Sequence, residues 1–248
     1  MSIRGWLDQD WLKTIVLITF GDNSFGTGFL VLHDRVFLIV TAKHVVVDRD
    51  TGIERANPTV HLNNQTGGLS SRPFSSLPRT IRWNFHEDQN VDLAVSVIGL
   101  DPTIDDFRLF PSEMFMNVAE VGQGDDVFFL GFPLGEGAIE SRRSQLKPIL
   151  RAGTVSLVEE RRLLVEASVY EGSSGSPVFL KPSPFTLTEN AISLRRQSAR
   201  LVGVATGYIG YEGQNTNLAK VFSADRVGEI IRSPDFQPTL GVGRNQET

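Results

Sequence analysis

The sequence predicts an all-β protein of the barrel or sandwich type, with one convincing helix near the C-terminal end. Short runs rich in Val, Ile, Leu and Phe recur along the chain, and Gly, Pro, Asp and Asn bound them. Runs of this kind between turn-forming residues are typical of the strands of a sandwich or barrel. They cover residues 14–20, 28–32, 36–42, 91–97, 127–130, 163–169, 178–180 and 201–205.

Two local signals add detail to this fold class. The tripeptide at 33–35 separates two apolar runs and predicts a tight β-hairpin. Residues 223–232 predict a helix, since Ser223 is a favourable N-cap, Asp225 lies in the first turn and Arg232 lies near the end. Acidic residues at the start of a helix and basic residues at its end both stabilise the helix dipole.

Composition limits the class of protein and its partners. The chain has 248 residues, a formal net charge of −5 and no cysteine. The acidic balance without a basic face argues against nucleic acid as a partner. The N-terminal residues lack the apolar stretch of a signal peptide, and no run approaches the roughly 18 apolar residues of a membrane span. We therefore expect a cytoplasmic protein with neither a nucleic-acid nor a membrane partner, in keeping with its lack of cysteine.

The motif with the strongest chemical signal is GSSGSP at 172–177. Glycines on both sides of Ser174 permit a turn that side chains would obstruct, and such a turn can expose the hydroxyl group. Acyl transfer needs a nucleophilic oxygen and N–H donors aimed at the developing oxyanion. The backbone N–H groups of Gly172 and Ser174 are the candidate donors. Taken alone, the motif also fits a Gly/Ser-rich hairpin loop.

Two further motifs supply a candidate base and a candidate acid. His44 ends an apolar strand in TAKHVV, and histidine can remove a proton from a serine hydroxyl near neutral pH. Asp92 leads an apolar strand in NVDLAV, where a carboxylate needs a partner if it is buried. Taken alone, His44 also fits a structural histidine, and Asp92 an exposed strand-edge residue. Asp88, Asp105 and Asp106 are alternative acids, but none of them opens a strand.

Together, the three motifs stand in the chain order His, Asp, Ser, and here the sequence resembles trypsin-like serine proteases. The resemblance is strongest to bacterial trypsin-like and HtrA-type catalytic domains, and it covers most of the chain from about residue 14 to 232. The matching segments are GTGF (26–29), TAKHVV (41–46), NVDLAV (90–95), LGFPLG (130–135), AGTVS (152–156) and GSSGSPVF (172–179).

The resemblance implies two antiparallel six-stranded β-barrels of the chymotrypsin-like type, a C-terminal helix and an active site between the barrels. The N-terminal barrel, 1–112, would carry His44 and Asp92, and the C-terminal barrel, 113–232, would carry Ser174. Residues 233–248 are predicted to form a flexible tail. No metal or organic cofactor is implied, and the histidines show no metal-ligand spacing.

The resemblance also implies where substrate would bind and where this chain departs from the digestive enzymes. Ser168 stands six residues before Ser174, where enzymes that cleave after Arg or Lys carry an acid, so we expect small to medium apolar P1 residues. Ser173 replaces the aspartate that receives the new N-terminus in those zymogens, so activation by N-terminal trimming is not expected. The predicted substrate-binding residues are Ser168, Tyr170, Ala205, Thr206 and Gly207.

These observations predict a serine endopeptidase that acts on protein or peptide substrates through His44, Asp92 and Ser174. The missing signal peptide and the missing zymogen aspartate suggest control by a regulatory protein partner. The alternative is a protease-fold module that binds a peptide or partner without turnover. An esterase with the same machinery is a third possibility, because fold alone does not decide chemistry.

Overall fold

The computed structural model describes residues 9–76, 82–133, 145–182, 185–188, 191–194 and 199–236. Strands are the dominant secondary structure, and they form two large sheets, of which the second closes into a barrel. The predicted all-β, chymotrypsin-like class with a C-terminal helix is confirmed. Within these ranges, no helix has both the length and the apolar character that a membrane crossing requires.

The first sheet contains eight strands from the N-terminal half of the chain. Its hydrogen-bonded order is β5-β4-β1-β2-β3-β7-β6, and β8 pairs in parallel with β2. Over the described residues this sheet is open, because its end strands β5 and β6 do not pair with each other. It differs in this from the closed six-stranded barrel that the resemblance implies. The strands are β1 Ile15–Thr19, β2 Phe25–His33, β3 Val36–Thr41, β4 Thr59–Asn63, β5 Leu69–Pro73, β6 Asn84–Phe85, β7 Ala94–Val97 and β8 Phe110–Pro111.

The second sheet is the closed six-stranded barrel that the resemblance implies. Its order is β10-β11-β16-β15-β12-β9, and β9 pairs back to β10. Strands β13 and β14 form a separate hairpin. The strands are β9 Asp126–Gly131, β10 Ile149–Val158, β11 Arg162–Glu166, β12 Pro177–Leu180, β13 Phe185–Thr188, β14 Ala191–Leu194, β15 Arg200–Tyr211 and β16 Gln214–Ser223.

The hairpin predicted at 33–35 is confirmed between β2 and β3. His33 pairs with Val36, and the turn residues Asp34 and Arg35 have φ angles of 45° and 66°. Two consecutive residues with positive φ are typical of a type I′ turn, whose twist matches that of the strands it joins. The turn sends β3 back along β2, so the end of β3 lies beside the start of β2.

The predicted C-terminal helix is α2, Ala224–Arg232, and Ser223 holds its N-cap position. Its buried face includes Val227 and Ile230, which pack it onto the body of the protein. The Ser223 hydroxyl does not cap the helix as predicted, and instead donates a 3.4 Å hydrogen bond to the carbonyl of Arg161. Ser223 therefore ties the start of the helix to the turn between β10 and β11. Four short 3₁₀ helices occupy Gln9–Thr14, Phe74–Ser76, Ser112–Met114 and Val118–Glu120.

Three clusters of buried apolar side chains hold the protein together. One lies within the first sheet, one lies inside the closed barrel, and the third lies between the sheet and the barrel. Strand β2 supplies two of these clusters, because successive residues of a strand point to opposite faces. Its Phe29 and Val31 join the central cluster, and Leu30 joins the cluster of the first sheet. The central cluster thus fixes the first sheet against the barrel.

The predicted domain boundaries at 112 and 232 stay predictions; the first lies between β8 and β9, and the second is the last residue of α2. Phe236, which falls within the predicted tail, is buried in the central cluster. Residues 237–248 lie outside the described residues.

Candidate active site

His44 and Asp92 meet at one edge of the first sheet. His44 lies in the short helix α1, Lys43–Val46, just after β3, and Asp92 lies two residues before β7. Asp92 Oδ2 is 2.6 Å from His44 Nδ1, and Asp92 Oδ1 accepts a 2.9 Å hydrogen bond from the backbone N–H of His44. Because Thr41 of β3 is paired with Ala94 of β7, the sheet itself brings the two side chains together.

The Asp92 carboxylate determines which nitrogen of His44 carries the proton. A carboxylate only accepts hydrogen bonds, so Nδ1 of a neutral His44 carries the hydrogen and Nε2 is left as an acceptor. The two side chains are 18% and 25% exposed, so the pair is sheltered but still reachable. The guanidinium of Arg49 lies 3.8 Å from the same Asp92 oxygen. A histidine in this state has the acceptor nitrogen that a general base needs.

The three alternative acids do not contact His44. Asp88 is paired with an arginine and Asp106 with a lysine, and Asp105 accepts hydrogen bonds from a serine and an arginine. A hydrogen bond from the backbone N–H of Asn90 lowers the pKa of Asp88 below its ordinary value. Each of these acids therefore stabilises a loop or strand away from the histidine.

The nucleophile loop, residues 172–176, is a tight turn that depends on its two glycines. Gly172 and Gly175 have φ angles of 85° and 87°, which residues with a Cβ rarely adopt. A Cβ on Gly172 would lie 2.3 Å from the carbonyl oxygen of Phe132, and one on Gly175 would lie 1.9 Å from that of Thr27. The expectation that glycines permit a turn that side chains would obstruct is confirmed.

The nucleophile loop is fixed against the strands that lead to His44. The carbonyl of Ser174 accepts a 2.9 Å hydrogen bond from the backbone N–H of Thr27 in β2. The neighbouring Thr41 of β3 donates its hydroxyl to the carbonyl of Thr27 at 2.7 Å. His44 follows Thr41 by only three residues. These contacts bring Ser174, His44 and Asp92 to the same end of the interface between the sheet and the barrel.

The Ser174 hydroxyl and the His44 ring are not hydrogen-bonded to each other in this structure. Both residues belong to the described part of the chain, and the hydrogen bonds of His44 there go to Asp92. Ser174 is partly buried. Catalytic hydrogen bonds are often long in unliganded enzymes and shorten when substrate binds. The structure thus pairs His44 with Asp92, and the participation of Ser174 in a triad with them stays a prediction.

The two N–H groups predicted as oxyanion donors differ from their neighbours in the nucleophile loop, and their catalytic role stays a prediction. Among the described residues, the N–H groups of Gly172 and Ser174 have no protein acceptor. By contrast, the N–H groups of Ser173, Gly175 and Ser176 donate to backbone carbonyls at 2.9, 2.7 and 3.0 Å. Free donors beside a nucleophile are what stabilisation of a tetrahedral oxyanion requires.

Ser173 hydrogen-bonds within its own loop. Its side chain is buried, and its hydroxyl accepts the backbone N–H of Tyr170 at 3.3 Å. Its own N–H returns to the carbonyl of Tyr170 at 2.9 Å. A serine here closes the loop locally, where an aspartate would need a cationic partner.

Two of the predicted substrate-binding residues lie on an exposed edge before the nucleophile. Ser168 is exposed, and Tyr170 is 52% exposed. Arg151 of β10 supports this edge, because its guanidinium donates to the carbonyl of Ser168 and lies 4.7 Å from the centre of the Tyr170 ring. Val169, between them, is buried in the barrel core. Whether substrate contacts this edge stays a prediction.

The other three predicted substrate-binding residues lie where β15 passes the nucleophile loop. The N–H of Ala205 donates to the carbonyl of Ser176 at 2.9 Å, and its carbonyl accepts the N–H of Gly175 at 2.7 Å. The pairing of β15 with β16 shifts between Ala205 and Gly207, which leaves Thr206 in a bulge. On the other side of β15, the pairing with β12 ends at Val204, and an extended peptide can add as a strand to an edge that lacks a partner strand among the described residues. Ala205 therefore supports the nucleophile loop, while the role of all three residues in substrate binding stays a prediction.

The remaining histidines lie away from this site. His33, His61 and His86 each hydrogen-bond to neighbouring side chains in other parts of the fold. Within the ranges that the structure describes, no group of three or more His, Asp and Glu side chains is arranged to hold a metal ion.

The sequence predicts no role for Thr27, although Thr27 belongs to the GTGF segment that resembles trypsin-like proteases. Thr27 is fully buried, and it hydrogen-bonds to the nucleophile loop through its backbone and its side chain. The available signal was a polar residue between two glycines at the start of an apolar strand. A buried polar group needs hydrogen-bond partners, and those partners are distant in the sequence.

The closed barrel, the first sheet and the site between them define the scaffold of a chymotrypsin-fold serine protease. Residues 26–183, more than half of the chain, match the model of the trypsin-like peptidase domain. The chain therefore belongs to this family. Among curated proteins, no sequence match to the chain is found.

Three solved structures share the fold of this chain. A serine endoprotease from Yersinia pestis matches 90% of this chain and 63% of its own, with a TM-score of 0.55 and 18% identity. The HtrA-type protease AlgW, solved with a tripeptide, matches 90% and 60%, with a TM-score of 0.58 and 14% identity. Deg5 matches 89% and 88%, with a TM-score of 0.54 and 19% identity. The chain spans less than two thirds of the first two proteins, and at these identities the likeness establishes the fold.

Proposed function

We propose that the chain is a serine endopeptidase that hydrolyses peptide bonds in protein or peptide substrates. Ser174 is the nucleophile, His44 is the general base, and Asp92 orients His44. The backbone N–H groups of Gly172 and Ser174 stabilise the oxyanion. The observation that carries this proposal is the His44–Asp92 pair at 2.6 Å, beside a serine loop in which two N–H groups have no acceptor among the described residues.

In the first step, Ser174 Oγ attacks the carbonyl carbon of the scissile bond while its proton moves to His44 Nε2. The carbonyl oxygen becomes an oxyanion and accepts hydrogen bonds from the two N–H groups. His44 then gives its proton to the amide nitrogen, the C–N bond breaks, and the amine product leaves. Asp92 stabilises the imidazolium that exists between these transfers.

In the second step, a water molecule attacks the acyl carbon and His44 accepts its proton. The bond between the acyl carbon and Ser174 Oγ breaks, and His44 returns the proton to Ser174. The product is a carboxylic acid, and one water molecule is consumed for each peptide bond. No step requires an oxidant, a reductant or a group beyond the side chains named.

The substrate in this proposal is an extended chain that lies along the bulge at 206–207. Small to medium apolar P1 residues are favoured, since Ser168 supplies no acid for a basic side chain. A cytoplasmic location and a regulatory protein partner belong to the same proposal, because an unregulated protease in that compartment would be damaging.

One observation favours the alternative of a module that binds without turnover. Between the two described residues Ser174 and His44, no hydrogen bond is formed, which a silent or partner-dependent site would also show. The presence of the acid, the base and the nucleophile in one place favours the enzyme. A turnover assay separates the two readings.

The decisive experiment is hydrolysis of an unfolded protein such as reduced casein by the full chain. The wild type is expected to release peptides, and Ser174→Ala is expected to lower the rate to that of the buffer, because no other hydroxyl is activated at this site. Mass spectrometry of the fragments also reports the P1 residue. Ser76→Ala is the matched control, since within the described part of the chain its exposed hydroxyl bonds only to the carbonyl of Pro73.

Three results would count against the proposal. The first is hydrolysis by Ser174→Ala at the wild-type rate. The second is a folded wild type that neither hydrolyses casein nor reacts with a fluorophosphonate probe but binds peptide, which would favour the binding module. The third is cleavage mainly after Arg or Lys, which would overturn the P1 expectation alone.

A further inference from the structure

Thr27 is a fully buried residue of the first sheet. Four of its hydrogen bonds link it to segments that are separate from its own strand. Its hydroxyl donates to the carbonyl of Gly172 at 2.8 Å and accepts the backbone N–H of Phe132 at 2.9 Å. Its backbone N–H donates to the carbonyl of Ser174 at 2.9 Å, and its carbonyl accepts the hydroxyl of Thr41 at 2.7 Å. One residue of the first sheet thus holds two segments of the closed barrel domain, the one at Phe132 and the one at 172–174.

The barrel approaches Thr27 more closely than side chains would allow. A Cβ on Gly131 would lie 2.8 Å from the Thr27 hydroxyl, and a Cβ on Gly175 would lie 1.9 Å from the Thr27 carbonyl. A side chain at Gly175 would displace the Thr27 carbonyl, and one at Gly131 would crowd both the Thr27 hydroxyl and the Ser176 hydroxyl, which lies 2.0 Å from that Cβ. The close approach of the barrel to Thr27 thus depends on glycine at both positions.

The two carbonyls that Thr27 holds belong to Gly172 and Ser174, the residues whose N–H groups are the proposed oxyanion donors. Fixing these carbonyls fixes the peptide planes on the C-terminal side of each residue. The intervening plane, which carries the Ser174 N–H, is held separately, because its Ser173 carbonyl accepts the N–H of Ser176 at 3.0 Å. Thr27 therefore fixes the two planes that flank the Ser174 N–H, and it does so from the first sheet, which also carries His44.

We propose that Thr27 is the positioning residue that aligns the nucleophile loop with the His44–Asp92 pair, and that its hydroxyl is the group required. This inference rests on the proposed function and deepens it. Thr27 does not touch substrate, and it acts through Gly172 and Ser174. A change that keeps its size but removes its hydroxyl leaves a buried carbonyl and a buried N–H without partners, which lets the loop relax.

The test compares Thr27→Val, which keeps the shape, with Thr27→Ser, which keeps the hydroxyl. Thr14→Val is the matched control, because Thr14 is equally buried and its hydroxyl bonds only to the carbonyl of Trp11, at 2.8 Å. Saturation kinetics with a fluorophosphonate probe give a limiting rate of Ser174 modification and a half-saturating concentration. Melting temperature reports stability separately.

For Thr27→Val we expect the limiting rate to fall about tenfold to a hundredfold, as displaced reacting groups usually cause, with the half-saturating concentration nearly unchanged. Thr27→Ser should retain a limiting rate close to the wild type. Thr14→Val should melt at a lower temperature but modify Ser174 at the wild-type rate.

Several outcomes would overturn the assignment. A folded Thr27→Val with the wild-type limiting rate would show that the hydroxyl is not needed. If Thr27→Val does not fold, Thr27→Ser provides the test, because it keeps the hydroxyl. A folded Thr27→Ser whose limiting rate of Ser174 modification falls more than about tenfold would contradict a role for the hydroxyl. Equal slowing in Thr14→Val would show a general effect of stability. If the wild type itself does not react, the proposed function fails first, and the role of Thr27 fails with it.

Discussion

Two histidines in this protein lie against a carboxylate at the same distance but differ in their second nitrogen. His44 Nδ1 is 2.6 Å from Asp92, and His86 Nε2 is 2.6 Å from Glu229. The other nitrogen of His86 accepts the backbone N–H of Asp88 at 3.0 Å. Among the described residues, Nε2 of His44 has no such partner. An acid beside a histidine is thus insufficient to identify a base, and the free nitrogen is the feature that distinguishes them.

The two pairs also connect different parts of the molecule. His44 and Asp92 belong to the same sheet, and their contact depends on the pairing of β3 with β7. His86 follows β6 of that sheet, whereas Glu229 lies on α2, so their contact fastens the C-terminal helix to the N-terminal half. His86 is also more deeply buried, with its side chain 7% exposed. In the proposed function the first pair transfers protons, whereas the second pair joins two parts of the fold.

The largest expected difference comes from Asp92→Asn. The amide can donate to Nδ1 and so favour the tautomer that lacks a free Nε2 acceptor, and we expect kcat for peptide hydrolysis to fall about 10⁴-fold. The melting temperature should change little, because the amide oxygen can still accept the N–H of His44. Steady-state kinetics and thermal unfolding of the same samples measure both effects.

Asp106→Asn is the control for loss of a carboxylate, since Asp106 pairs only with Lys13 at 2.9 Å, far from the nucleophile loop. Its activity should equal that of the wild type. If Asp92→Asn retained most of its activity, the acid would not orient the base, and the two histidine pairs would not differ in the way described.

A smaller effect, on stability, is expected from Glu229→Gln. The change weakens the hydrogen bond to His86 and the pair with Arg226 at 2.7 Å, and we expect a loss of about 1 kcal/mol in the free energy of unfolding, because Glu229 is 41% exposed. Activity below the melting transition should be unchanged. Urea unfolding gives the first quantity and casein hydrolysis the second. A fall in kcat without a fall in stability would show that this pair takes part in catalysis.

Much of the site was predictable because each of its chemical groups stands in a local pattern. A lone acid opening an apolar strand, a histidine closing one and glycines around a serine supplied the candidates Asp92, His44 and Ser174. Their combination into one site came from their chain order and from the resemblance to trypsin-like proteases. The fold class followed from the same short apolar runs. These signals are local, and a single sequence displays them directly.

The rest depended on contacts between distant segments. Thr27 bonds to Gly172, 145 residues away, and His86 bonds to Glu229, 143 residues away. No local pattern reports such pairs, because each residue alone fits an ordinary surface or strand position. The strand β5 was missed for another reason, since Leu69–Pro73 is mostly polar and half exposed and therefore lacks an apolar alternation.

The most direct test of this account is the rate at which a fluorophosphonate modifies Ser174 in His44→Gln and in His86→Gln, with peptide mapping to locate the adduct. We expect His44→Gln to slow the modification by about 10³-fold or more, since the base is removed. The folded His86→Gln should react at the wild-type rate despite a lower melting temperature. Equal slowing in both variants, or an adduct on a serine other than Ser174, would contradict the account.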